Sequence, residues 1–224
     1  MSIEDINNNP KALKTWRKNE KTAYEKHRKD HPDSLILPFE SELRSMGFAF
    51  CNMNDALKFM PKNKKIIIPV ALKYYSLSKQ RNNADEQCLI LKFFNYKGLD
   101  ELVPMLISDY YSEKTSGLAR WFISDCLYTI RSKNFVEEYI HIVSNSDFGN
   151  NRQMIILLLG KLKVEAAIPI LIDLLEDEEV RLQAIYALGC FKREEFRTYF
   201  ERFQNCSQPG WRKYSKLALK KLDN

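Results

Sequence analysis

The sequence repeats itself with a period near 30 residues, and this period constrains the fold more than any other feature. An arginine recurs at spacings of 32, 29 and 31 residues, each time at or near the start of an apolar stretch with helical periodicity. The recurring residues are Arg120, Arg152, Arg181 and Arg212. A second apolar stretch precedes each of them, so every period predicts two helices joined by a turn.

The clearest unit spans residues 164–192 and predicts one helix in each half. Its apolar residues fall on a single face of each helix: Ile168, Leu171, Ile172 and Leu175 in the first, and Val180, Ala184, Ala187 and Leu188 in the second. Glu178 and Glu179 stand at the start of the second helix, where the helix dipole favours negative charge. The small residues of the second helix allow close packing against a neighbouring helix.

The same pattern continues in both directions from this unit. Gln87 takes the place of the arginine one period before Arg120, and first helices are predicted around Pro69, Pro104, Ile140, Pro169 and Phe200. A single helix pair cannot bury its apolar face, so neighbouring pairs must stack on one another. We therefore predict an all-α fold with about five helix pairs between residues 64 and 222.

These units resemble HEAT-like repeats, in particular the short type found in phycobilin lyases. The resemblance is carried by Ala167, Ile168, Pro169, Leu174, Leu175, Asp177, Val180, Arg181, Ala184, Ala187, Leu188 and Gly189. It implies a right-handed α-α superhelix, a HEAT-like solenoid whose concave face is lined by the second helices. It implies no single activity, because HEAT arrays mostly hold partners and a fold does not fix a function.

The repeat pattern weakens toward the N-terminus. We predict an N-terminal helical cap over residues 1–62 and one continuous repeat array over residues 63–224, since end repeats need a polar outer face. A polar helix is predicted from Pro10 to about Lys29, docking through Trp16 and Tyr24.

Several classes of protein are disfavoured by composition. The five cysteines show no close pair, which favours reduced core residues over a disulfide framework or a zinc site. No signal peptide or membrane-spanning stretch is visible, so we expect a cytoplasmic protein with no membrane partner. Neither a glycine-rich phosphate loop nor a nucleophile motif occurs, and we expect no metal and no cofactor.

The arginine series has two interpretations. It forms either a positive stripe for phosphates or an acidic partner, or a structural ladder in which each arginine reaches an aspartate or a carbonyl of an adjacent turn. Asp177 lies four residues before Arg181 and suits the ladder, which the HEAT resemblance favours.

Positions that vary between repeats are better candidates for binding a partner. We predict that the second helices present Trp121, Asp125, Arg152, Gln153, Tyr186 and Tyr214 to a partner. Their aromatic members belong to the residue types that are enriched in interface hot spots. The alternative is that Trp121 and Phe122 pack between helices.

A more specific hypothesis concerns Trp121 and Asp125, which are four residues apart and share one helix face. With Arg152 on the next second helix, they are similar to the site of the HEAT-repeat alkylpurine DNA glycosylases. That resemblance implies that the tryptophan faces a damaged nucleotide, that Asp125 supports a cationic transition state, and that Tyr186 supplies a further aromatic. The double tryptophan of that family is absent, because Arg120, Trp121 and Phe122 stand in its place.

The leading hypothesis is a non-enzymatic HEAT-repeat protein that holds a protein partner along its concave face, as a scaffold, a maturation factor or an inhibitor of the immunity type. The alternative is a DNA-binding protein like the alkylpurine glycosylases, with Asp125 as its catalytic residue. A third hypothesis, the handling of a tetrapyrrole, depends on the repeat type alone. The sequence points to no particular oligomeric state.

Overall fold

The computed structural model describes residues 29–50 and 52–223, together with positions 22 and 26. Every regular element in these residues is a helix, which confirms the predicted all-α fold. The chain divides into two compact units, Met1–Phe93 and Phe94–Asn224. The division into a cap over 1–62 and an array over 63–224 stays a prediction. Trp16, Tyr24 and most of the predicted polar helix lie outside the described residues.

Unit one contains the helices α1 (Ile36–Ser45), α2 (Met53–Ala56), α3 (Met60–Gln80) and α4 (Ala84–Leu91). The α3 and α4 helices pack together as a pair, and α1 packs against α3. The turn between α3 and α4 contains Asn82 with φ 52°, and the Asn83 side chain accepts a hydrogen bond from the Glu86 amide to cap α4.

Unit two contains four helix pairs. Its helices are α5 (Val103–Tyr111), α6 (Gly117–Ile130), α7 (Val136–Ser144), α8 (Gln153–Leu162), α9 (Ile168–Asp173), α10 (Arg181–Leu188), α11 (Arg197–Glu201) and α12 (Pro209–Leu222). The odd-numbered helices are the first helices of their pairs. Together with the α3–α4 pair of unit one, these pairs agree with the number predicted from the repeat.

The second helices of unit two form one continuous layer, in the order α6, α8, α10 and α12. Close approach within this layer depends on small residues. A Cβ atom added to Gly160 would lie 2.4 Å from the Ala187 Cα atom, and one added to Gly189 would lie 3.1 Å from the Ala218 Cβ atom. The two recurring glycines therefore mark the points where neighbouring second helices come closest.

Candidate functional site

The four recurring arginines share one structural role. Each donates to a main-chain carbonyl at the end of the first helix of its own pair or in the segment that joins the two helices. The bonds are Arg120 Nε to Tyr110 O at 2.8 Å, Arg152 Nη1 to Val143 O at 3.2 Å, Arg181 Nε to Leu175 O at 2.5 Å, and Arg212 Nη1 to Cys206 O at 2.8 Å. The last carbonyls of a helix have no partner within the helix, and Arg120 and Arg152 provide one at the ends of α5 and α7. Arg181 and Arg212 instead bond carbonyls of the segments that follow α9 and α11. The geometry therefore supports the structural ladder.

Arg152 is the most buried of the four, with an exposed fraction of 2%. Its Nε donates to the Gly149 carbonyl at 3.0 Å and its Nη2 to Asp177 Oδ2 at 2.6 Å. All three nitrogens therefore have partners within the protein. The predicted role of Arg152 in binding a partner stays a prediction, and the contacts seen for its guanidinium are structural.

Asp177 pairs with a different arginine from the one that its position in the sequence suggests. It bonds Arg152 of the preceding repeat, whereas Arg181 bonds the carbonyls of Leu175 and Glu176. The other Asp177 oxygen accepts the Glu179 amide at 3.0 Å, which fixes the turn before α10. The Asp177 side chain therefore connects two successive repeats, because it pairs with the arginine of the preceding repeat.

The other predicted binding residues all lie on the second helices. Trp121 and Asp125 belong to α6, Gln153 begins α8, Tyr186 lies on α10 and Tyr214 lies on α12. Trp121 is 39% exposed, and its ring meets the Phe122 ring edge-on at 5.3 Å between centroids. Trp121 is therefore accessible to a partner, although Phe122 covers part of it.

The Asp125 carboxylate is held within unit two by Asn95, a residue that no pattern in the sequence singled out. Asn95 Nδ2 donates to Asp125 Oδ2 at 2.6 Å. Burial raises the pKa of Asp125, and the hydrogen bond from Asn95 opposes this rise. The glycosylase-like site that we predicted, with Trp121, Asp125, Arg152 and Tyr186, stays a hypothesis.

Gln153 bridges neighbouring repeats through its side-chain amide. Its Nε2 donates to Asn150 Oδ1 at 3.2 Å and to the Glu179 carbonyl at 3.0 Å. The amide thus connects the start of α8 to the turn before α10. A partner that contacted Gln153 would meet a side chain whose orientation is already fixed.

Tyr186 and Tyr214 lie at the centre of a group that we call the Tyr–Lys cluster, which consists of Tyr186, Tyr214, Lys161, Lys213 and Lys221. The two tyrosine rings meet edge-on with 5.6 Å between centroids. Lys161 Nζ lies 5.3 Å and Lys221 Nζ 6.0 Å from the Tyr186 ring centroid, and Lys213 Nζ lies 5.6 Å from that of Tyr214. Such distances fit cation–π attraction.

Three lysines lie near enough to Cys190 to influence the pKa of its thiol. Burial raises the pKa of the Cys190 thiol, and Lys161, Lys221 and Lys163 each oppose that rise. A hydrogen bond with the Tyr186 hydroxyl raises the pKa of Lys161. Among the described residues, Lys161, Lys163, Lys213 and Lys221 form no ion pair with an acidic side chain. This part of the second-helix layer therefore carries uncompensated positive charge.

The two lysines at the end of α8 were not among the predicted binding residues, although the sequence contains a signal for them. Lys161 directly follows the recurring glycine Gly160, and Lys163 ends α8 in the left-handed region with φ 52°. Arg131 and Lys192 hold the same conformation after α6 and α10. Arg131 and Lys163 directly follow α6 and α8, where the negative end of the helix dipole favours a basic residue, while Lys192 lies four residues beyond α10.

A family model described as HEAT repeats matches residues 99–212, just over half of the chain. The chain belongs to the HEAT-repeat family. The matched region runs from just before α5 into the first turn of α12, so it covers three complete pairs of unit two and the first helix of the fourth. This match confirms the α-solenoid fold predicted from the repeat, while the right-handed superhelix stays a prediction. A comparison with curated proteins and with solved structures found no match.

Two further properties concern the part of the chain that the structure describes. No group of three histidine, cysteine, aspartate or glutamate side chains is arranged there to hold a metal ion. No helix in that part is long and apolar enough to cross a membrane.

Proposed function

We propose that this HEAT-repeat protein holds a protein partner along the second helices of unit two, as a scaffold, maturation factor or inhibitor. HEAT arrays expose extended surfaces of stacked helices, and these surfaces commonly bind other proteins. The observation that carries the proposal is the Tyr–Lys cluster, in which two tyrosines and three lysines from three consecutive second helices meet.

We further propose that the partner places an acidic segment on the Tyr–Lys cluster. The cluster's lysines lack acidic partners among the described residues, so a negatively charged segment would complement them. Charge complementarity of this kind speeds association and selects among partners. The tyrosine rings supply contact area at a low cost in conformational entropy.

Apolar contacts are available on the same helices. Leu118 and Trp121 on α6 are exposed, and Leu217 on α12 is exposed three residues from Tyr214. Exposed aromatic and aliphatic side chains of this kind commonly anchor a partner, with charged residues around them. The proposed interface therefore has apolar anchors on α6 and α12 and a basic region around Tyr186.

The test begins with capture of the partner from the native host by the full chain, followed by affinity measurements on the purified pair. Tyr186→Ala and Tyr214→Ala should each weaken binding by roughly tenfold or more, as expected for interface hot spots. Tyr199→Ala is the matched control, because Tyr199 is a half-buried tyrosine on the first helix α11.

Two results would contradict the proposal. One is a captured protein whose affinity is unchanged by both cluster variants. The other is binding of nucleic acid at physiological salt in place of a protein. Release of 7-methylguanine from alkylated DNA by the wild type, and not by Asp125→Asn, would support the glycosylase hypothesis instead.

A further inference from the structure

Unit one contains a cavity of about 940 Å³ between α1, α2 and the start of α4, which we call the unit-one cavity. Acidic side chains dominate its charged lining: Asp30, Asp33, Glu40, Asp85 and Glu86. Arg81 and His31 also line it, and Arg81 Nη1 donates to the Asp33 carbonyl. The apolar part of the cavity wall consists of Ile36, Leu37, Met53 and Leu89. The cavity is thus negatively charged and partly apolar.

Glu86 is the residue of this lining whose hydrogen bonding is incomplete. It is 5% exposed, and its Oε1 accepts the Leu35 amide at 2.7 Å. Its other oxygen, Oε2, is buried and has no hydrogen-bond partner among the residues that the structure describes. A buried carboxylate oxygen without a partner is costly, and a bound ion or water is one of the physical explanations for such a group.

Glu86 lies close to the N-terminus of α4. It lies in the first turn of this helix, where the amide groups and the helix dipole stabilise negative charge. Glu40, the other buried carboxylate of the lining, already pairs with Arg44 at 3.2 Å. Glu86 is therefore the buried acid toward which a bound cation would be drawn.

The lining suits an organic cation better than a metal ion. Divalent metal ions need several oxygen ligands around one point, and the described residues provide no group of three that could do so. An ammonium group has three donors and no acceptor, so it can complete the hydrogen bonding of a single carboxylate. The apolar wall can at the same time contact a methylene chain.

We propose that the unit-one cavity binds a small alkylamine of the polyamine class. One ammonium group bonds Glu86 Oε2, the carbon chain lies against Leu37, Met53 and Leu89, and a second ammonium group lies near Asp85 or Asp33. The volume is within the range of small-molecule sites. The proposed site lies entirely in unit one, so it does not depend on the partner proposed for unit two.

The first experiment titrates the full-length wild-type chain with spermidine by calorimetry at physiological salt. Glu86→Gln retains the side-chain shape and an oxygen for the Leu35 amide, but it removes the charge. We expect this variant to bind spermidine at least tenfold more weakly than the wild type. Glu101→Gln, which neutralises an exposed acid of unit two, should leave the affinity unchanged.

The second experiment separates binding from folding. Spermidine should raise the melting temperature of the wild type and not that of Glu86→Gln, while 1,5-pentanediol, an uncharged chain, should affect neither. The melting temperature of Glu86→Gln without ligand reports separately any effect of the substitution on folding.

Equal spermidine affinity in the wild type and in Glu86→Gln would overturn the proposal, and so would the absence of binding at millimolar spermidine. Asp85→Asn gives an independent check, since Asp85 is exposed on the first turn of α4 and its replacement should not impair folding. This variant should weaken spermidine binding severalfold, and an unchanged affinity would count against the assigned position of the second ammonium group.

Discussion

Arg152 Nη2 lies 2.6 Å from Asp177 Oδ2, in an ion pair that joins the start of α8 to the turn before α10. The arginine is buried, while the aspartate is partly exposed. The same guanidinium also donates a hydrogen bond to the Val143 carbonyl in the last turn of α7. One side chain therefore stabilises both its own helix pair and the contact with the next pair.

Replacing this arginine should destabilise unit two strongly. Arg152→Met removes the donors to Val143, Gly149 and Asp177, and it leaves the aspartate without its counter-charge. We expect a loss of about 3 kcal/mol in the free energy of unfolding, measured by urea denaturation. Arg202→Met is the control, because Arg202 forms an exposed ion pair with Glu176 whose loss should cost less than about 1 kcal/mol. Similar losses in the two variants would contradict this assignment.

A methyl group at Gly160 should separate two second helices. Its Cβ would lie 2.4 Å from the Cα atom and 2.9 Å from the carbonyl oxygen of Ala187, so the backbones of α8 and α10 must move apart. We expect Gly160→Ala to cost about 1–3 kcal/mol or more in unfolding free energy. The double variant with Ala187→Gly should recover part of this loss.

Gly117→Ala is the matched control for that prediction. Gly117 begins α6, and an added Cβ would meet only Asn151 Nδ2 at 3.8 Å. This substitution should leave stability unchanged or raise it by up to about 1 kcal/mol, because alanine restricts the unfolded chain. If it destabilised the protein as much as Gly160→Ala, the close approach to Ala187 would not explain the effect.

The stability of unit two should depend on the protonation of Asp125. Burial raises its pKa above the ordinary value of 3.8, so the folded chain binds this proton more tightly than the unfolded chain does. The resulting stabilisation is present below the ordinary pKa and is lost as pH rises through the raised pKa of the folded state. At neutral pH the ionised Asp125 carboxylate therefore lowers the free energy of unfolding.

Asp125→Asn should remove this destabilisation. The new side-chain amide keeps an oxygen that can accept the hydrogen bond from Asn95 Nδ2. We expect the variant to be more stable than the wild type near neutral pH, with a difference that shrinks as the pH approaches 3.8. Chemical denaturation across this pH range measures it, with Asp147→Asn at an exposed carboxylate as the control. A variant less stable than the wild type at neutral pH would show that the charge itself is stabilising.

Charge reversal in the Tyr–Lys cluster should slow association with the proposed acidic partner. The double variant Lys161→Glu and Lys221→Glu should lower the association rate by roughly tenfold or more at low salt, and the difference should decrease as salt is added. Lys114→Glu with Lys133→Glu changes the net charge equally at exposed positions outside the cluster. If both double variants slowed association equally, net charge and not the cluster would be responsible.

The repeat pattern was sufficient to predict the helix pairs because their packing depends on features that recur. The arginine closes each pair and Gly160 and Gly189 permit close contact, so both features appear in the sequence at the period of the structure. The exposed position of Trp121 could not be predicted in the same way. It depends on how Phe122 and the neighbouring helix pack around the tryptophan ring.

Contacts between repeats were harder to predict because sequence distance is a poor guide to them. Asp177 is four residues from Arg181 and 25 from Arg152, yet stacking brings the more distant arginine to it. Asn95 and Asp125 are 30 residues apart and share no repeated pattern. No sequence pattern indicates that Glu86 is buried, because acidic residues are common in the first turn of exposed and buried helices alike.

The continuous layer of α6, α8, α10 and α12 has a consequence for how unit two resists unfolding. Each second helix in it packs mainly against its immediate neighbours, so the energy that holds the array together is divided among successive interfaces. Amide hydrogen exchange should then be graded along the array, fastest in α12 and slower in α8 and α10. A ligand lying across several of these helices would add long-range cooperativity, and the array would open as one block.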